Sequence, residues 1–578
     1  MIARLTPMLI CAAALAGLLF LSAQCVGQTV KTAESKGSIT GRVLNAAGEP
    51  LVSAAVYAGS LSDPRGQQTV KVDANGNFKI DGLSAGVYRV WASSPGYVPS
   101  IQSNSSASNL YHIGDTAMFT LNKGAVITGK ITGANGPMIG VGVFAMRVRD
   151  EEGKRLPTPA IWRERATDDR GVYRIYGLSP GTYLVMTARS RMGMIAPSPY
   201  DNDTPTYFPS SPRDTASEIT VREGDEVTAD IEYRAEPGHA ISGQVAGVVE
   251  SQGPISSNAS VTLIEVRDRL ATFSVGTSSY DNFKFAFSGI PDGEYEVSAF
   301  QFLQTREQLR SKPRRIVLRG TDVPGVTLTV AKQAAIEGRL LFESDPKLEC
   351  GKREETAGQE TVVYGRRYEP EKRPENNAAP AQADVSLPMS NYVAMEAGDA
   401  KGAFRLRNLP AGSYRIDPRA PGEGWYLRSI SNHLSIGDSV SVRAGETVSG
   451  VTVTFAEGGA AVRGSVATPK GDRLPQSAFV YLLPAEKENA ATSFRYFEAR
   501  LRSDGSFSID NVAPGEYLIV ALRSDNDAPS STAISIRQDL TLRNTVVREA
   551  EKLKQKLSVK ACERLDNYDL SFTSAPNP

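Results

Sequence analysis

The sequence has little of the two residue types on which much enzyme and metal chemistry depends. Only 3 of its 578 residues are histidine and only 4 are cysteine. The histidines, His112, His239 and His433, lie far apart along the chain, which disfavours a histidine-based triad or metal centre. The chain also lacks the His-Glu-x-x-His pattern of zinc peptidases and the Gly-Lys-Ser/Thr phosphate loop. We therefore predict no catalytic residues, no cofactor site and no metal site.

The chain also has no excess of either charge. Lysine and arginine total 64, as do aspartate and glutamate, so no bulk positive field attracts nucleic acid, and we predict no nucleic-acid partner. Hydrophobic residues make up 41% and charged residues 22%, which is typical of a folded, water-soluble protein. The 51 glycines and 34 prolines favour many short elements joined by turns.

Residues 1–28 have the pattern of a secretory signal peptide. Arg4 supplies the positive charge, an apolar run extends from Leu9 to Leu21, and a segment of small residues follows up to Gln28. The protein is therefore expected to be exported to the periplasm, the outer-membrane surface or the extracellular space. A retained membrane anchor and acylation of Cys25 are the alternatives. No later stretch is long and apolar enough to cross a bilayer, so no membrane span is expected after cleavage.

One short signature recurs five times. It reads Gly-Leu-Ser-Ala-Gly-Val-Tyr at residues 82–88, and its copies end at Tyr88, Tyr183, Tyr295, Tyr414 and Tyr517. The tyrosines are 95 to 119 residues apart, too far for the unit of a solenoid, so the period indicates a string of whole domains. We call each copy the signature turn and each surrounding segment a repeat.

A second pattern opens every repeat. In the first, Ile39, Gly41 and Val43 alternate with polar residues, which predicts a half-buried strand. A glycine on the inward face indicates that another backbone or a large ring packs close to it. The equivalent glycines are Gly41, Gly129, Gly243, Gly338 and Gly464.

The rest of each repeat is also typical of β structure. Asp73 to Gly76 contains an Asn-Gly pair, a strong hairpin signal, and β-branched and aromatic residues follow Tyr88. A calcium loop is disfavoured there because Gly76 is fourth from Asp73, whereas an EF-hand loop needs glycine at the sixth position. We predict an all-β protein of five tandem Ig- or transthyretin-like β-sandwich domains.

These residues resemble the carboxypeptidase regulatory-like domain, a transthyretin-like (prealbumin-like) sandwich that is also Cna-B-like and has a carbohydrate-binding-like fold. The resemblance covers about residues 37–545, and the first repeat matches it at Gly48, Pro50, Leu51, Ala54, Val56, Asp73, Gly76, Phe78, Ile80, Leu83, Gly86, Tyr88 and Val90. Such domains accompany peptidases, outer-membrane receptors and surface proteins. The resemblance implies a tandem-domain protein of bacterial cell envelopes.

The predicted boundaries follow from these signatures. The repeats span 37–122, 124–235 (with an insertion at 192–215), 238–331, 334–456 (with a flexible, solvated insertion at 345–385) and 459–543. An apolar stripe at Val546, Ala550, Leu553, Leu557 and Ala561 predicts a C-terminal helix over 545–566. That helix is expected either to dock on repeat 5 or to mediate oligomerisation.

Two groups of residues are candidates for a site or a link. Cys350 and Cys562 are the cysteines outside the signal region; an exported chain permits a disulfide between them, and two free thiols are the alternative. Trp162, Tyr200, Tyr207 and Phe208 lie in or near the insertion of repeat 2. Exposed aromatics can stack on sugars or anchor proteins; the alternative is a loop folded over its own sheet.

The predicted function is that of an exported, non-enzymatic rod of five sandwiches joined by short linkers. It would present or bridge surfaces at the cell envelope by binding a protein or a polysaccharide. The alternative function is a carbohydrate-binding or accessory module for a partner hydrolase or outer-membrane transporter.

Overall fold

The computed structural model describes residues 36–63, 66–100, 109–156, 162–187, 200–249, 258–267, 270–278, 282–348, 350, 356–368, 393–432, 439–468, 478–502, 504–523, 535–537 and 539–573. All of them belong to one compact unit, Lys36–Pro578. The predicted signal peptide lies outside these residues. Within them, no helix has the length and apolar character needed to span a membrane.

The first two repeats consist of short strands. Those of repeat 1 are β1 (Gly37–Asn45), β2 (Ala55–Ser60), β3 (Gln68–Lys71), β4 (Asn77–Leu83), β5 (Tyr88–Ser93), β6 (Tyr97–Pro99), β7 (Leu110–Tyr111) and β8 (Thr116–Lys123). Those of repeat 2 are β9 (Ala125–Gly133), β10 (Gly136–Pro137), β11 (Gly142–Arg149), β12 (Trp162–Ala166), β13 (Val172–Leu178), β14 (Gly181–Thr187), β15 (Ile219–Val221), β16 (Glu226–Thr228) and β17 (Ile231–Glu232).

Among the described residues of repeats 3 to 5, repeats 4 and 5 each contain one α-helix in addition to their strands. The strands of repeat 3 are β18 (His239–Ala246), β19 (Asn258–Glu265), β20 (Leu270–Ser278), β21 (Lys284–Ile290), β22 (Gly293–Phe302), β23 (Gln308–Ser311), β24 (Arg314–Leu318) and β25 (Val323–Lys332). Repeat 4 contains β26 (Ala334–Glu343), α1 (Ala357–Glu360), β27 (Val362–Tyr368), β28 (Val393–Ala397), β29 (Ala403–Leu409), β30 (Gly412–Arg419), β31 (Trp425–Ser431), β32 (Ser439–Val442) and β33 (Thr447–Glu457). Repeat 5 contains β34 (Ala460–Ala467), β35 (Ala478–Pro484), β36 (Phe497–Arg500), β37 (Ser506–Val512), β38 (Gly515–Arg523), α2 (Leu540–Leu553), β39 (Lys556–Val559) and β40 (Arg564–Thr573).

The same strand order recurs in every repeat. The first strand pairs antiparallel with the strand that enters the signature turn and parallel with a strand near the end of the repeat, as β1 does with β4 and β8. The strand that leaves the turn belongs to the opposite sheet, where β5 pairs with β2. The chain therefore changes sheet at the signature turn, and the two sheets enclose one core. Equivalent pairings are β9–β13, β18–β21, β26–β29 and β34–β37 in one sheet, and β11–β14, β19–β22, β27–β30 and β35–β38 in the other.

The chain is thus mostly β and forms multiple β-sheet units, as predicted. In repeats 3 and 5 the two sheets are joined at one edge, through the pairing of β23 with β25 and of β38 with β40. Five large hydrophobic clusters occur among the described residues, and each lies within one predicted repeat except the last, which continues to Phe572. In repeat 1, Ile39 and Phe78 of one sheet face Val56 and Val90 of the other, and all four are at most 5% exposed.

The glycine of each first strand lies against a neighbouring backbone, which confirms the expectation of a close approach. A Cβ atom on Gly243 would lie 1.8 Å from the carbonyl oxygen of Val326 on the adjacent parallel strand, and one on Gly464 would lie 1.8 Å from that of Tyr568. The antiparallel partner opposite each glycine is aromatic, at Phe78, Tyr173, Phe285, Phe404 and Phe507. The missing side chain makes room for both neighbours.

The signature tyrosine closes its own turn in all five repeats. Tyr88 donates its hydroxyl hydrogen to the carbonyl of Ser84 at 2.8 Å, and Tyr517 donates to Ala513 at 2.8 Å. The remaining pairs are Tyr183 with Ser179, Tyr295 with Pro291 and Tyr414 with Pro410, at 2.7 to 2.9 Å. This arrangement is similar to the tyrosine corner of other β-sandwiches, in which a tyrosine holds the crossover between sheets.

The C-terminal prediction is wrong in its bounds. Helix α2 begins after Asp539, whose side chain accepts hydrogen bonds from the amides of Thr541 and Leu542, and it ends at Leu553. The residues that follow form β39 and β40, so repeat 5 extends beyond 543. Leu553 and Leu557 have helical spacing, but Leu557 and Val559 alternate as in a strand and enter the core of repeat 5.

Helix α2 docks on repeat 5. Val546 and Ala550 are at most 3% exposed and pack with Tyr481 and Val520 on the outer face of the sheet that contains β35 and β38. Of the two expected roles for the apolar stripe, docking is therefore the one that the contacts support.

The predicted insertion at 345–385 is also wrong in part. Residues 362–368 form β27, which pairs with β30 in the sheet of repeat 4, and Val363 is fully buried in the core. Arg366 of this strand lies on the outer face, where it pairs with Asp417 at 3.2 Å. Residues 369–392 lie outside the described part of the chain.

Consecutive repeats follow each other directly. At three of the junctions, the first amide of a repeat donates to a carbonyl of the preceding one, as Gly124 does to Gly96 at 2.8 Å. The other two pairs are Gly238 with Asn202 at 2.9 Å and Gly459 with Gly424 at 2.8 Å. At the junction of repeats 3 and 4, Asn408 of the signature turn accepts instead from the amide of Gln308 at 2.6 Å. The linkers are therefore short, as expected, and orient the repeats through backbone contacts.

Candidate functional site

The described side chains of the predicted aromatic site, those of Tyr200, Tyr207 and Phe208, do not form an exposed cluster. Tyr207 is only 4% exposed and packs with Phe144, Met146 and Met186, so it is not the exposed aromatic residue that the prediction assumed. Tyr200 and Phe208 are half-buried against the core of repeat 2. Tyr200 meets Tyr233 edge-on, with ring centroids 5.6 Å apart.

The fourth candidate, Trp162, is the first residue of β12, where its backbone pairs with Met146; its side chain lies outside the described part. Residues 200–215, the described portion of the predicted insertion, thus fold over their own sheet. The local sequence does not predict this folding of the insertion, because an aromatic residue in a loop can face either the core or the solvent.

An aromatic pair with one exposed ring occurs instead in repeat 3. Phe302 is 70% exposed and meets Phe300 edge-on, with ring centroids 5.5 Å apart. Both lie on β22, where Tyr295, Val297 and Ala299 point inward. The alternation from Tyr295 onward was the signal that could have located this pair, because it places Phe300 and Phe302 on the opposite face.

The signature turns of repeats 1 and 2 spell Gly-x-Ser-x-Gly at residues 82–86 and 177–181. This pattern also marks the nucleophile of serine hydrolases, where the serine lies between a strand and a helix. Here each turn joins two antiparallel-sheet strands, β4 to β5 and β13 to β14. The carbonyl oxygens of Ser84 and Ser179 accept hydrogen bonds from the hydroxyls of the signature tyrosines. These serines therefore belong to a structural turn.

The aspartates of the hairpin turns bind their own backbone. One carboxylate oxygen of Asp73 accepts from the amides of Asn75 and Asn77, both at 2.8 Å, and Asp168 does the same with Arg170 and Val172. The amide of Asn77 is the main cause that lowers the pKa of Asp73. These contacts support a hairpin turn over a calcium loop. The described residues contain no group of three or more His, Cys, Asp or Glu side chains arranged for a metal ion.

Cys350 and Cys562 form a disulfide in the structure. Their Cα atoms lie 5.7 Å apart, although the residues are 212 positions apart in sequence. The bond joins repeat 4 to the turn that leads into β40 of repeat 5. A cleft with an internal volume of about 30 Å³ lies beside it, lined by Glu423, Asp510, Asn511 and Arg564 among others. This volume is below the range of typical small-molecule sites.

Repeat 1 contacts two repeats that are not its neighbours in the chain. The guanidinium of Arg306 in repeat 3 donates to the carbonyls of Leu61 and Ser62 in repeat 1, at 3.2 and 3.4 Å. It also pairs with Glu396 of repeat 4 at 3.0 Å, and burial raises the pKa of Glu396. These contacts exclude a rod in which each repeat touches only the next one.

We call the contact surface between repeats 1 and 4 the seam. Its apolar part consists of Val87, Val362 and Tyr364, with Leu61, Leu110 and Met395 packed against them. His112 Nε2 lies 2.9 Å from the carbonyl oxygen of Glu360, and its Nδ1 lies 3.6 Å from Asp115. The described contacts of the seam are apolar packing and hydrogen bonds between two domains.

Comparisons with known proteins agree with the sequence resemblance. Residues 38–109, most of repeat 1, match the family model of the carboxypeptidase regulatory-like domain. The resemblance is therefore confirmed for repeat 1, and the other repeats share its glycine strand and tyrosine turn.

Among curated proteins, the serine-aspartate repeat-containing protein D of Staphylococcus aureus strain Newman is 24% identical over 268 residues, which cover 40% of this chain and 19% of that protein. The chain thus matches about a fifth of that relative's length. Among solved structures, two B repeat units of the Staphylococcus aureus collagen binding protein give a TM-score of 0.13 at 12% identity, covering 73% of this chain and all of that one. The minor pilin of Streptococcus agalactiae gives 0.18 at 13% identity, covering 38% and 96%.

Proposed function

We propose that this chain is an exported, non-enzymatic protein of five tandem β-sandwich domains that binds a protein or a polysaccharide at the cell envelope. The observation that carries the proposal is the use of the recurring residues. In every repeat the glycine admits a neighbouring backbone and the tyrosine closes a turn. The glycine and the tyrosine that the repeats share therefore serve folding. The chain repeats a structural domain rather than a reactive site.

The contact surface that we assign to this function is the Phe300–Phe302 pair of repeat 3. A phenylalanine that is 70% exposed leaves apolar area whose burial by a partner would contribute about 1.5–3 kcal/mol. Of the predicted residues in repeat 2, Tyr200, Tyr207 and Phe208 pack against the hydrophobic clusters of that repeat.

The same pair favours the second candidate, a carbohydrate-binding accessory module for a hydrolase or transporter. The exposed ring of Phe302, beside the half-buried ring of Phe300, offers an apolar surface that can stack on sugars. The two functions differ in the class of ligand, so one screen separates them.

The test uses the chain from residue 36 to 578 against glycan arrays, peptidoglycan and an extract of envelope proteins. The informative variant is Phe302→Ser. The matched control is Val317→Ser, because Val317 is also an exposed apolar residue of repeat 3, at 46%. We expect saturable binding that Phe302→Ser reduces at least tenfold and Val317→Ser leaves unchanged.

A glycan ligand would favour the accessory module, and a protein ligand would favour the surface-bridging function. If wild-type protein binds nothing in the three sets, the proposed binding function is contradicted. If binding survives Phe302→Ser, the assignment of the surface is wrong while the function stands.

A further inference from the structure

An edge strand occupies the same place in the fold of all five repeats. It lies at the end of the sheet that also contains the strand leaving the signature turn, and among the described strands it pairs on one side only. The five equivalent edge strands are β3, β12, β20, β28 and β36. The outer side of an edge strand presents N–H and C=O groups that can pair with another chain, and proteins normally protect such edges with short strands or charged residues.

Four of the five edge strands have this protection. Strands β3 and β36 are 4 residues long, and β12 and β28 are 5 residues long. Every one of the four contains charged residues, which are Lys71, Arg163, Glu164, Arg165, Glu396, Glu498 and Arg500. At β36 a neighbouring segment also lies against the strand, where the amide of Ile536 donates to Glu498 Oε2 at 3.0 Å.

Strand β20 of repeat 3 lacks both forms of protection. It is 9 residues long, Leu270–Ser278, and it contains neither a charged residue nor a proline. One side of β20 pairs with β19. Gly276 near its end is exposed, and no described atom lies within 4 Å of a Cβ built on it. This edge therefore offers a long, uncharged backbone to which a further strand can pair.

We propose that β20 pairs antiparallel with β20 of a second copy of this chain, so that repeat 3 of the two copies forms one continuous sheet. In a pairing centred on Ser274 the same strand meets itself around a two-fold axis. Positions of equal parity then lie opposite each other, so the pleats of the two strands match. Each copy uses this edge once, and the assembly therefore closes as a dimer.

The composition of β20 favours a second copy as its partner. Residues directly opposite each other on paired strands interact, and like charges at such positions are destabilising. Self-pairing of β12 about Glu164 would place two glutamates opposite each other, and Arg163 opposite Arg165. Self-pairing of β20 opposes no charges, because the strand has none. A charged strand of another protein would find no opposite charge on β20.

The dimer displays the Phe300–Phe302 surface twice. Strand β22, which carries this pair, and β20 lie on either side of β19 in the same sheet. A two-fold axis perpendicular to a continuous sheet leaves the same face of both copies on one side, so both Phe302 rings face the same way. Two binding surfaces on one particle strengthen attachment to a surface with repeated ligands. The inference goes beyond the proposed function, since dimerisation itself needs no ligand.

The experiment measures the mass of the chain 36–578 by sedimentation over a range of protein concentrations. The variants are Ser274→Lys and Ser274→Glu, each of which places like charges opposite each other in the dimer. An equimolar mixture of the two variants places opposite charges there instead. Thr69→Lys and Thr69→Glu are the matched controls, because Thr69 is an exposed residue of β3, the equivalent edge strand of repeat 1.

We expect wild type and both controls to dimerise reversibly as the concentration rises. Each Ser274 variant alone should dimerise about fivefold more weakly, and the mixture should dimerise more strongly than either variant alone. Hydrogen exchange of residues 270–278 should slow in wild type as the concentration rises, because the dimer protects their amides. Circular dichroism melts check that the variants are folded.

Four results would overturn the proposal. A wild type that stays monomeric up to millimolar concentration lacks this contact, and a dimer that the Ser274 variants leave unchanged uses another surface. Variants that do not associate when mixed would show that the added charge disturbs the strand rather than the pairing. Protection of β20 by a different envelope protein, without self-association, would assign the edge to that partner. Phe302→Ser should leave the dimer intact, so failure of this proposal and failure of the proposed function are distinguishable.

Discussion

The recurring glycine and tyrosine of each repeat are each positioned by contact with a specific neighbouring residue. Gly243 and Gly464 lie so close to the parallel strand that a methyl group would overlap a carbonyl oxygen. The signature tyrosines are buried because their rings fill the core, and their hydroxyls remain satisfied by a carbonyl four residues earlier. Each signature tyrosine thus fills the core with its ring and stabilises its turn with its hydroxyl. This arrangement recurs in all five repeats, although their other residues differ.

Replacing Gly243 by alanine should therefore destabilise repeat 3. Its Cβ would lie 1.8 Å from the carbonyl oxygen of Val326, and such overpacking costs about 1–3 kcal/mol. Chemical denaturation measures the loss. Gly276→Ala is the control, because nothing lies within 4 Å of a Cβ built there. Equal stability of the two variants would show that the close approach is not needed.

Tyr517→Phe tests the turn in the same way. Removing the hydroxyl leaves the buried carbonyl of Ala513 without this donor, at a cost of about 0.5–1.5 kcal/mol. Thermal unfolding followed in repeat 5 measures the change. A variant as stable as wild type would mean that the ring alone holds the turn.

At the scale of elements, repeat 5 is completed by strands that follow a helix. Helix α2 follows β38 in sequence and packs on the outer face of the sheet that contains β35 and β38. After the helix, β39 pairs with β38 and β40 pairs with β34. Leu570 and Phe572 of β40 belong to the core. The last strand is therefore part of the domain rather than a tail.

A chain that ends at residue 563 should lose the cooperative unfolding of repeat 5, because β40 is the parallel partner of β34. Removing only 574–578 should leave it unchanged. Hydrogen exchange of β34 and β37 measures the difference. Protection of both strands in the shorter chain would refute the assigned role of β40.

At the scale of the whole molecule, contacts distant in sequence hold the repeats together. The Cys350–Cys562 disulfide joins repeats 4 and 5, and Arg306 joins repeats 1, 3 and 4. A bond that closes such a long loop stabilises a fold by about 2–5 kcal/mol, mainly through the unfolded state.

The disulfide can be tested by intact mass after alkylation of the denatured protein. Without reductant, neither cysteine should be alkylated, and with reductant both should be. The reduced protein should unfold at a lower denaturant concentration, because its unfolded chain is less constrained. Two alkylated thiols in the unreduced sample would exclude the bond in solution.

The seam should weaken as the pH rises. Burial opposes the charged form of His112, but its hydrogen bonds with Asp115 and with the carbonyl of Glu360 outweigh this and raise its pKa above the usual 6.5. A group whose pKa is raised by folding stabilises the folded form below its unfolded pKa, and this contribution is lost as the pH rises through the folded value.

Hydrogen exchange of residues 357–368, corrected for intrinsic rates, should therefore show less protection at pH 8 than at pH 6. His112→Gln should show similar protection at both values. A wild-type seam that is better protected at pH 8 would have the wrong sign for this mechanism.

The sequence by itself determined the repeated unit. Period-two alternation, the glycine of the first strand and the tyrosine turn all depend on residues within the same repeat. A β-sandwich could therefore be predicted from local patterns and family resemblance.

Tertiary structure alone decided the rest. Leu557 has helical spacing from Leu553, yet it belongs to a strand because the core of repeat 5 needs it. Tyr207 and Phe302 are both aromatic, and only the packing of their sheets buries the first and exposes the second. The seam and the disulfide join residues more than 200 positions apart, and a contact of that kind depends on how whole repeats meet, which local patterns do not encode.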